Sequence, residues 1–245
     1  MASRHTAPTK QQEKNYDDGN GMSIIVPSAG FSRKFKYTGP KCLFKINNVP
    51  ILEYQLNVIN NVYPKAEIFV IVGLDASKIK NKIKRKNVRY IYNGAFDSSN
   101  VLYSIGLGLF ANTNSRVLII YGDLIFNENT IRGFTSNGSS ILVDSKNYLK
   151  DREVGITQHD LIVENLTFEV KPKWGQMAYL INRELDIFEK CATHNECMNW
   201  YGHEGLNYVI SNGGILRTFE PKNYKLLEID NHEDIAKIKN FLKES

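Results

Sequence analysis

The sequence has no long hydrophobic run and only three cysteines. No apolar stretch in the 245 residues approaches the ~20 that a membrane helix needs, and the N-terminus has no hydrophobic signal region. Cys42, Cys191 and Cys197 are odd in number and lack the spacing of metal ligands. We therefore expect reduced thiols in a cytoplasmic protein, with no membrane segment and no zinc site.

Acidic charge does not dominate, since Lys and Arg total 31 against 26 Asp and Glu. The net charge of +5 favours anionic partners, and nucleic acid is one of them. The densest basic run, KIKNKIKRKNVR at 78–89, contains no aromatic residue that could stack on bases. Ile79 and Ile83 lie four positions apart, so one helical face would be buried while the lysines face water. We interpret the run as a solvated helix face and expect no nucleic-acid partner.

Residues 1–21 are polar and show no apolar periodicity. We expect a disordered tail there, or added residues ahead of a natural start at Met22. The whole chain is 42% hydrophobic and 23% charged, which is typical of globular proteins. Residues 22–245 are therefore predicted to form a single domain.

Apolar runs and helical periodicity alternate over the first half of the chain. The predicted strands are 24–26, 67–72, 88–92 and 116–121, and the predicted helices are 51–62, the basic run from 78, and 100–110. Gly106 and Gly108 in the third helix predict close packing on the sheet. The β-α-β-α order predicts an α/β domain with a mostly parallel sheet and helices on both faces.

From 139 to 181 the pattern changes to short strands between polar turns. SILVDS, LIVENL, FEVKPK and QMAYLI are predicted strands of a mixed or antiparallel extension over the working edge of the sheet. Helices are predicted at 183–191 and 200–211, a strand at ILRTFE, and a last amphipathic helix after Asp230.

A glycine turn and a basic loop follow the first strand. Gly30 has no Cβ, so the backbone can approach a ligand there and direct its N–H groups at an anion. Arg33 and Lys41 are among the basic residues beyond it. Such a loop at the carboxyl end of a strand is typical of phosphate sites in α/β sheets. A surface turn with solvated lysines is the alternative.

Asp123 follows the buried strand RVLIIY, directly after Gly122. An aspartate at the carboxyl end of a central strand is well placed to hold a metal ion or to polarise a substrate. A turn or helix-cap aspartate is the alternative.

Four pieces, in this order and spacing, carry a family resemblance: the Gly30 turn, Pro40-Lys41, Gly122-Asp123 and Glu228-Ile229-Asp230. From about Met22 to its end the chain resembles nucleotidyltransferases of the sugar-phosphate and phosphocholine type, whose Rossmann-like fold is called GT-A-like. SSNVLYSIGLGL, WGQMAYLI and LLEIDNHEDIAKIKNFL are most similar to small bacterial cytidylyltransferases acting on phosphocholine or aminoethylphosphonate. The opening departs from the family's AAG-x-G-x-R, since it is one residue shorter and lacks the second glycine.

The resemblance implies an Mg²⁺-dependent enzyme that joins a nucleoside triphosphate, with CTP favoured, to a small phosphorylated alcohol or phosphonate and releases pyrophosphate. It implies nucleotide contacts from Ser28, Ala29, Gly30, Ser32, Ser99, Asn100 and Gly122, with Ser98 and Ser104 near the base or acceptor. It implies catalytic charge from Arg33 and Lys41, and magnesium ligation by Asp123 and Asp230. It implies acceptor contacts from Lys171, Lys173, Trp200, Tyr201 and Glu204, and a pocket shared with Trp174 would suit a quaternary ammonium through cation–π attraction.

Several of these residues have simpler interpretations that the sequence leaves open. Ser99 and Asn100 could cap the helix that follows them. Lys171 could be a solvated strand lysine, and the aromatic residues could be core or rim positions.

Other functions stay open as well. Sugar-1-phosphate nucleotidyltransferases that use UTP, dTTP or GTP share the implied fold, and a non-catalytic nucleotide-binding subunit would fit the shortened glycine loop. GT-A glycosyltransferases usually hold their metal with D-x-D, whereas YGDLIF has no second aspartate. The sequence leaves the oligomeric state undetermined, with a homodimer as one option.

Overall fold

The buried run SIIVP forms the first strand of the domain. The structure is a computed structural model that describes residues 17–30, 39–136, 138–146, 153–229 and 234. The strands in chain order are β1 (Ser23–Pro27), β2 (Lys45–Ile46), β3 (Val49–Pro50), β4 (Glu67–Val72), β5 (Val88–Tyr92), β6 (Arg116–Ile120), β7 (Leu124–Phe126), β8 (Ser140–Asp144), β9 (Val154–His159), β10 (Ile162–Phe168), β11 (Lys173–Ile181), β12 (Arg217–Phe219) and β13 (Leu226–Glu228). The α-helices are α1 (Ile51–Val62), α2 (Ala76–Lys82), α3 (Val101–Phe110), α4 (Glu128–Ile131), α5 (Asn182–Ala192) and α6 (Gly202–Ser211). No helix within these ranges is long and apolar enough to cross a membrane.

One half of the main sheet is parallel, with the strand order β5-β4-β1-β6. From β1 the chain passes through α1 to β4 and through α2 to β5, and then returns through α3 to β6 on the other side of β1. The strand order therefore reverses between β1 and β6. Open α/β sheets bind ligands in the crevice beyond the carboxyl ends at such a point. The predicted α/β fold with a large mixed sheet is confirmed.

The other half of the sheet is mixed, as predicted. β11 is antiparallel to both β6 and β8, β12 is parallel to β8, and β10 is antiparallel to β12 and β9. The predicted strand FEVKPK is wrong, because β10 ends at Phe168 and β11 begins at Lys173, which leaves a turn between them. The sequence analysis predicts no strand at β9. Only the first three residues of VGITQH are buried or partly buried in the structure, so this strand has little apolar pattern to detect.

Successive side chains of the parallel strands point to opposite faces of the sheet. Ile24 packs in one core cluster with Leu52 of α1, whereas its neighbour Ile25 packs in a second cluster with Leu102 of α3. Helices therefore cover both faces. The basic run is helical only in its first part, since α2 ends at Lys82.

Helix α3 packs closely at both of its glycines, but against different neighbours. A Cβ at Gly108 would lie 2.8 Å from the Ile25 side chain in β1, so this glycine packs on the sheet as predicted. A Cβ at Gly106 would lie 2.1 Å from the carbonyl oxygen of Ala192 at the end of α5. The prediction is therefore right for Gly108 and wrong for Gly106.

Residues 17–21 contact the body of the domain. The Arg116 guanidinium donates to the Asp17 carboxylate at 2.7 Å, and the Lys65 backbone N–H donates to the Asp18 carbonyl at 3.0 Å. The tail expected at residues 1–21 therefore does not include residues 17–21, which belong to the domain. Residues 1–16 and, apart from residue 234, the predicted last helix lie outside the described residues.

Candidate functional site

A cleft of about 1270 Å³ opens at the carboxyl ends of β1, β4 and β6. Its walls come from the turns that follow these strands, from the loop ahead of α3, from residues of β9 and β11 in the mixed half of the sheet, and from β13, which pairs with β7 in a separate two-stranded sheet. The cleft thus lies at the crevice where the strand order reverses, which is the place where this kind of sheet binds ligands.

The floor of the cleft consists of two tight turns that touch each other. The Ser28 N–H donates to the Ile71 carbonyl at 2.8 Å, and the Gly122 N–H donates to the Pro27 carbonyl at 3.2 Å. A Cβ at position 122 would lie 2.2 Å from the Ser28 Oγ, so only glycine fits there. A Cβ at Gly30 would meet no atom of the described residues within 4 Å.

Lys41 and Asp123 form an ion pair in the cleft although 82 positions separate them. The Lys41 Nζ lies 2.9 Å from the Asp123 Oδ2, with side-chain exposures of 14% and 27%. The Asp123 Oδ1 is buried and has no hydrogen-bond partner among the described residues. The structure therefore brings together two of the predicted site residues, a cation and a carboxylate, on the cleft floor.

Gln55 of α1 supports the turn that carries Asp123, and the sequence analysis missed it. Its Nε2 donates to the carbonyl oxygens of Tyr121 and Leu124, at 2.8 and 2.9 Å. The available signal was a glutamine within the apolar face of an amphipathic helix, between Leu52 and Leu56.

Asp123 fits one part of the expected magnesium site, because Mg²⁺ prefers carboxylate oxygens and the buried Oδ1 offers one. The second expected ligand, Asp230, lies outside the described residues. The preceding Ile229 donates its N–H to the Asp123 carbonyl oxygen at 3.1 Å, so the backbone reaches the site one position earlier. Within the described ranges, no group of three or more His, Cys, Asp or Glu side chains could hold a metal ion.

The loop ahead of α3 contributes Ser99 and Asn100 to the cleft wall, and the first turn of the helix contributes Ser104. The Asn100 side chain caps α3 by accepting from the Val101 N–H at 2.8 Å, so the capping interpretation holds for a residue that also lines the cleft. The buried Asn93, which the sequence analysis missed, donates from its Nδ2 to the hydroxyls of Ser99 and Ser104 at 3.1 and 3.0 Å. It thereby ties the loop to the first turn of the helix.

Lys173 lies in the cleft between two carboxylates. Its Nζ is 2.6 Å from Glu153 Oε1 and 3.2 Å from Glu228 Oε2, and all three side chains are at most 14% exposed. Burial alone would lower the pKa of the Lys173 ammonium, but Glu228 and Glu153 outweigh it and raise that pKa above its ordinary value. Lys171 is exposed and is not among the residues that line the cleft.

The aromatic residues divide between the cleft and the core. Trp174 is buried and lines the cleft, and Tyr201 lines it with 54% exposure. Phe168 and His203, which the sequence analysis missed, lie beside them, with the Tyr201 and His203 rings stacked at 5.7 Å. Burial lowers the pKa of His203 against the opposing charge of Glu204, which favours the neutral imidazole.

Besides Lys171, two predicted site residues do not line the cleft, and two lie outside the described residues. Trp200 packs against the core cluster of α3 and is not a lining residue. Glu204 caps α6, because its Oε2 accepts from the Tyr201 N–H at 2.6 Å, and it does not line the cleft either. Ser32 and Arg33 lie outside the described residues.

Residues 24–150, more than half of the chain, match the family described as MobA-like NTP transferase domain. The bifunctional protein GlmU of Coxiella burnetii (strain Dugway 5J108-111) is 28% identical over 123 residues, which are 49% of this chain and 26% of that protein. GlmU of Baumannia cicadellinicola is 24% identical over 239 residues, 89% of this chain and 50% of that protein. The chain thus spans between about a quarter and a half of the length of these curated relatives.

Three solved structures show the same fold. The inositol-1-phosphate CTP transferase from T. maritima superposes with a TM-score of 0.76 at 14% identity, covering 93% of this chain and 96% of that one. The CTP:phosphocholine cytidylyltransferase LicC from Streptococcus pneumoniae gives 0.74 at 18% identity, covering 90% and 99%. The nucleoside-diphosphate-sugar pyrophosphorylase from Vibrio cholerae RC9 gives 0.72 at 12% identity, covering 90% and 99%. The expected Rossmann-like, GT-A-like architecture is therefore confirmed.

Proposed function

The chain belongs to the family that carries the MobA-like NTP transferase domain, and from this premise we propose that it is a nucleotidyltransferase. It transfers the nucleotidyl group of a nucleoside triphosphate to a small phosphorylated acceptor and releases pyrophosphate. One observation carries the proposal: Lys41 and Asp123 are paired at 2.9 Å in a cleft that is also lined by the turn at Gly30.

Nucleotidyl transfer brings two anions together. An oxygen of the acceptor phosphate attacks the α-phosphorus of the triphosphate and forms a new P–O bond. The bond from the α-phosphorus to the bridging oxygen breaks, and pyrophosphate leaves with that electron pair. The acceptor phosphate is already ionised near neutral pH, so no side chain has to remove a proton. Catalysis then depends on alignment and on the neutralisation of charge.

The cleft residues are suited to both tasks. The turns at Gly30 and Gly122 let the backbone approach the triphosphate closely. Lys41 offsets negative charge on the phosphates and on the leaving pyrophosphate. Asp123 and Asp230 would hold Mg²⁺, which when bound neutralises phosphate charge and orients the phosphate oxygens. Arg33 keeps its proposed role as a second cation.

We propose CTP as the donor. The family-like segment that begins at Ser98 and continues into α3 forms one wall of the cleft, with Ser99, Asn100 and Ser104 as polar groups that could meet a base. The fold shared with the T. maritima and S. pneumoniae CTP transferases supports this choice.

We propose an acceptor with a cationic group, such as phosphocholine or aminoethylphosphonate. Lys173, Glu153 and Glu228 place two carboxylates and one ammonium in this part of the cleft, so an acceptor cation has carboxylate oxygens to pair with. Tyr201 and Phe168 add aromatic surface there. An alkylammonium gains both Coulomb and cation–π attraction in such a place, whereas a neutral hexose gains neither.

The second candidate is a sugar-1-phosphate nucleotidyltransferase that uses UTP, dTTP or GTP. The fold shared with the nucleoside-diphosphate-sugar pyrophosphorylase of V. cholerae favours it. A non-catalytic nucleotide-binding subunit is the third.

Pyrophosphate release measured with the four ribonucleotides and dTTP, against phosphocholine, aminoethylphosphonate and hexose 1-phosphates, tests these candidates together. We expect kcat/KM for CTP with a cationic acceptor to exceed that of every other pair by at least about tenfold. Turnover confined to hexose 1-phosphates would replace the acceptor proposal by the second candidate. Nucleotide binding without release from any pair would favour the non-catalytic subunit.

A further inference from the structure

Helix α1 carries a buried polar residue to which the proposed chemistry gives no role. Gln55 is 0% exposed, and its neighbours Leu52 and Leu56 on the same face are core residues with 0% exposure. The rest of this face is apolar, so packing alone would place a leucine or methionine here. The glutamine therefore calls for an explanation in its hydrogen bonds.

The two hydrogen bonds of Gln55 enclose the turn that carries Asp123. The Nε2 donates to the carbonyl of Tyr121 at 2.8 Å and to the carbonyl of Leu124 at 2.9 Å. β6 ends at Ile120 and β7 begins at Leu124, so the two acceptors bracket Gly122 and Asp123. Backbone hydrogen bonds hold the same turn as well, such as Gly122 N–H to the Pro27 carbonyl at 3.2 Å.

The orientation of the Gln55 amide follows from its neighbours. Both contacts are carbonyl oxygens, so the NH₂ end must face them. The other end, Oε1, is buried with no hydrogen-bond partner among the described residues. An unpaired buried amide oxygen is unfavourable compared with an apolar side chain of similar size. What Gln55 contributes is thus its pair of donated bonds.

We propose that Gln55 is a positioning residue that clamps the Tyr121–Leu124 turn and so holds the Asp123 carboxylate against Lys41 in the cleft. The effect of this clamp on the fold is independent of any activity. Its effect on turnover rests on the proposed nucleotidyl transfer.

A double-mutant cycle on unfolding free energy tests the clamp without substrate. Gln55→Met removes the clamp, and Lys41→Met removes the partner of Asp123. If the clamp holds that ion pair together, the double variant loses less unfolding free energy than the sum of the losses of the two single variants, as measured by urea denaturation. Tyr63→Phe is the matched control, because its hydroxyl donates a buried 2.5 Å bond from the end of α1 to the Ile131 carbonyl. The unfolding free energy lost in Tyr63→Phe should add fully to the unfolding free energy lost in Lys41→Met. Full additivity for Gln55→Met as well would overturn the proposal.

Kinetics test whether the clamp matters for turnover. Relative to an active wild type, a variant that lacks a residue orienting a metal ligand loses about 10- to 100-fold in metal affinity or activity. We expect Gln55→Met to raise the Mg²⁺ concentration for half-maximal rate in this range, and Tyr63→Phe to leave it unchanged. Gln55→Glu can donate only when protonated, so its rate relative to wild type should rise as the pH falls. The kinetic role would be refuted if Gln55→Met kept the wild-type Mg²⁺ requirement and the rate of Gln55→Glu relative to wild type did not change with pH. A wild type that releases no pyrophosphate would instead refute the proposed function, and the cycle would still decide the clamp.

Discussion

The two carboxylate oxygens of Asp123 have different surroundings. Oδ2 meets Lys41 at 2.9 Å, while Oδ1 is buried without a partner among the described residues. Asp123→Asn keeps the shape of the side chain and removes its charge, so we expect Mg²⁺-dependent pyrophosphate release to be lost while the circular dichroism spectrum is unchanged. Asp160→Asn, at an exposed turn before β10, is the control. Full activity in Asp123→Asn would remove this residue from the metal site.

Lys41 offers a preorganised charge, since its ammonium is fixed by Asp123 and the side chain is only 14% exposed. Lys41→Ala should lower kcat by on the order of 10² or more, as expected when a charge-stabilising group is lost. Lys45→Ala removes an exposed lysine four positions away and should leave steady-state rates unchanged. Equal rates for both variants would contradict the role assigned to Lys41.

The Lys173 ammonium bridges the carboxylates of Glu153 and Glu228. Lys173→Met would leave two buried carboxylates without their shared cation. Breaking a buried ion pair in this way costs about 3–5 kcal/mol, and urea denaturation would measure the loss. Lys190→Met, on an exposed position of α5, should cost little. A loss no larger than that of the control would show that the carboxylates relax into solvent.

The raised pKa of Lys173 also fixes how this contribution depends on pH. The unfolded lysine has its ordinary pKa of 10.5, and the folded one has a higher pKa. The stability that Lys173 contributes is therefore fully present below 10.5 and is lost as the pH rises through the folded pKa. The gap in unfolding free energy between wild type and Lys173→Met should stay constant through neutral pH and narrow only in strong alkali. A gap that closes near neutral pH would contradict this assignment.

These residues differ in how far the sequence alone reveals them. Lys41 and Asp123 stand in short motifs beside Pro40 and Gly122, so their place at the cleft is predictable from sequence. The carboxylate partners of Lys173 lie 20 and 55 positions away, and no local pattern connects them. Its ion-paired state follows only from strand pairing in the folded sheet.

Among the elements, helix α3 packs closely at two positions that have no side chain, Gly106 and Gly108. Alanine would favour the helix by about 1 kcal/mol over glycine. At Gly106, however, the new methyl would lie 2.1 Å from the Ala192 carbonyl, and relieving such a backbone clash typically costs about 1–3 kcal/mol. Gly106→Ala should therefore destabilise the protein more than Gly108→Ala, whose neighbour is the movable Ile25 side chain. Chemical denaturation of both variants decides the order, and the reverse order would contradict it.

The predictability of the elements follows their burial. β1, β4 and β6 are nearly continuous apolar runs, so sequence periodicity finds them. β9 alternates weakly because its last three residues are exposed, and it is found only in the structure. Strand order in the extension is equally hidden, since β8 pairs with β12 across some 75 intervening residues.

For the whole molecule, the cleft joins segments from Pro27 to Glu228, so a ligand bound there should stabilise the entire fold. At about 100 times its Kd a ligand adds ~2.7 kcal/mol of stability. For a chain of this size each kcal/mol raises Tm by about 2–4 °C, so CTP with Mg²⁺ should raise Tm by roughly 5–10 °C. Thermal unfolding with CTP, UTP and GTP measures this, with Lys41→Ala as the weakened binder. Equal shifts for all three nucleotides would contradict the preference for CTP.

The anchoring of residues 17–21 has a practical consequence for surface-based experiments. Arg116, which binds the Asp17 carboxylate and the Asn20 carbonyl, is the first residue of β6, whereas Asp123 follows the last. Five residues of strand span roughly 16 Å, so the anchor and the cleft lie at opposite ends of β6. A biosensor chip or resin coupled to a cysteine introduced at the exposed Asn20 would therefore hold the protein with its cleft directed away from the matrix, open to incoming nucleotide.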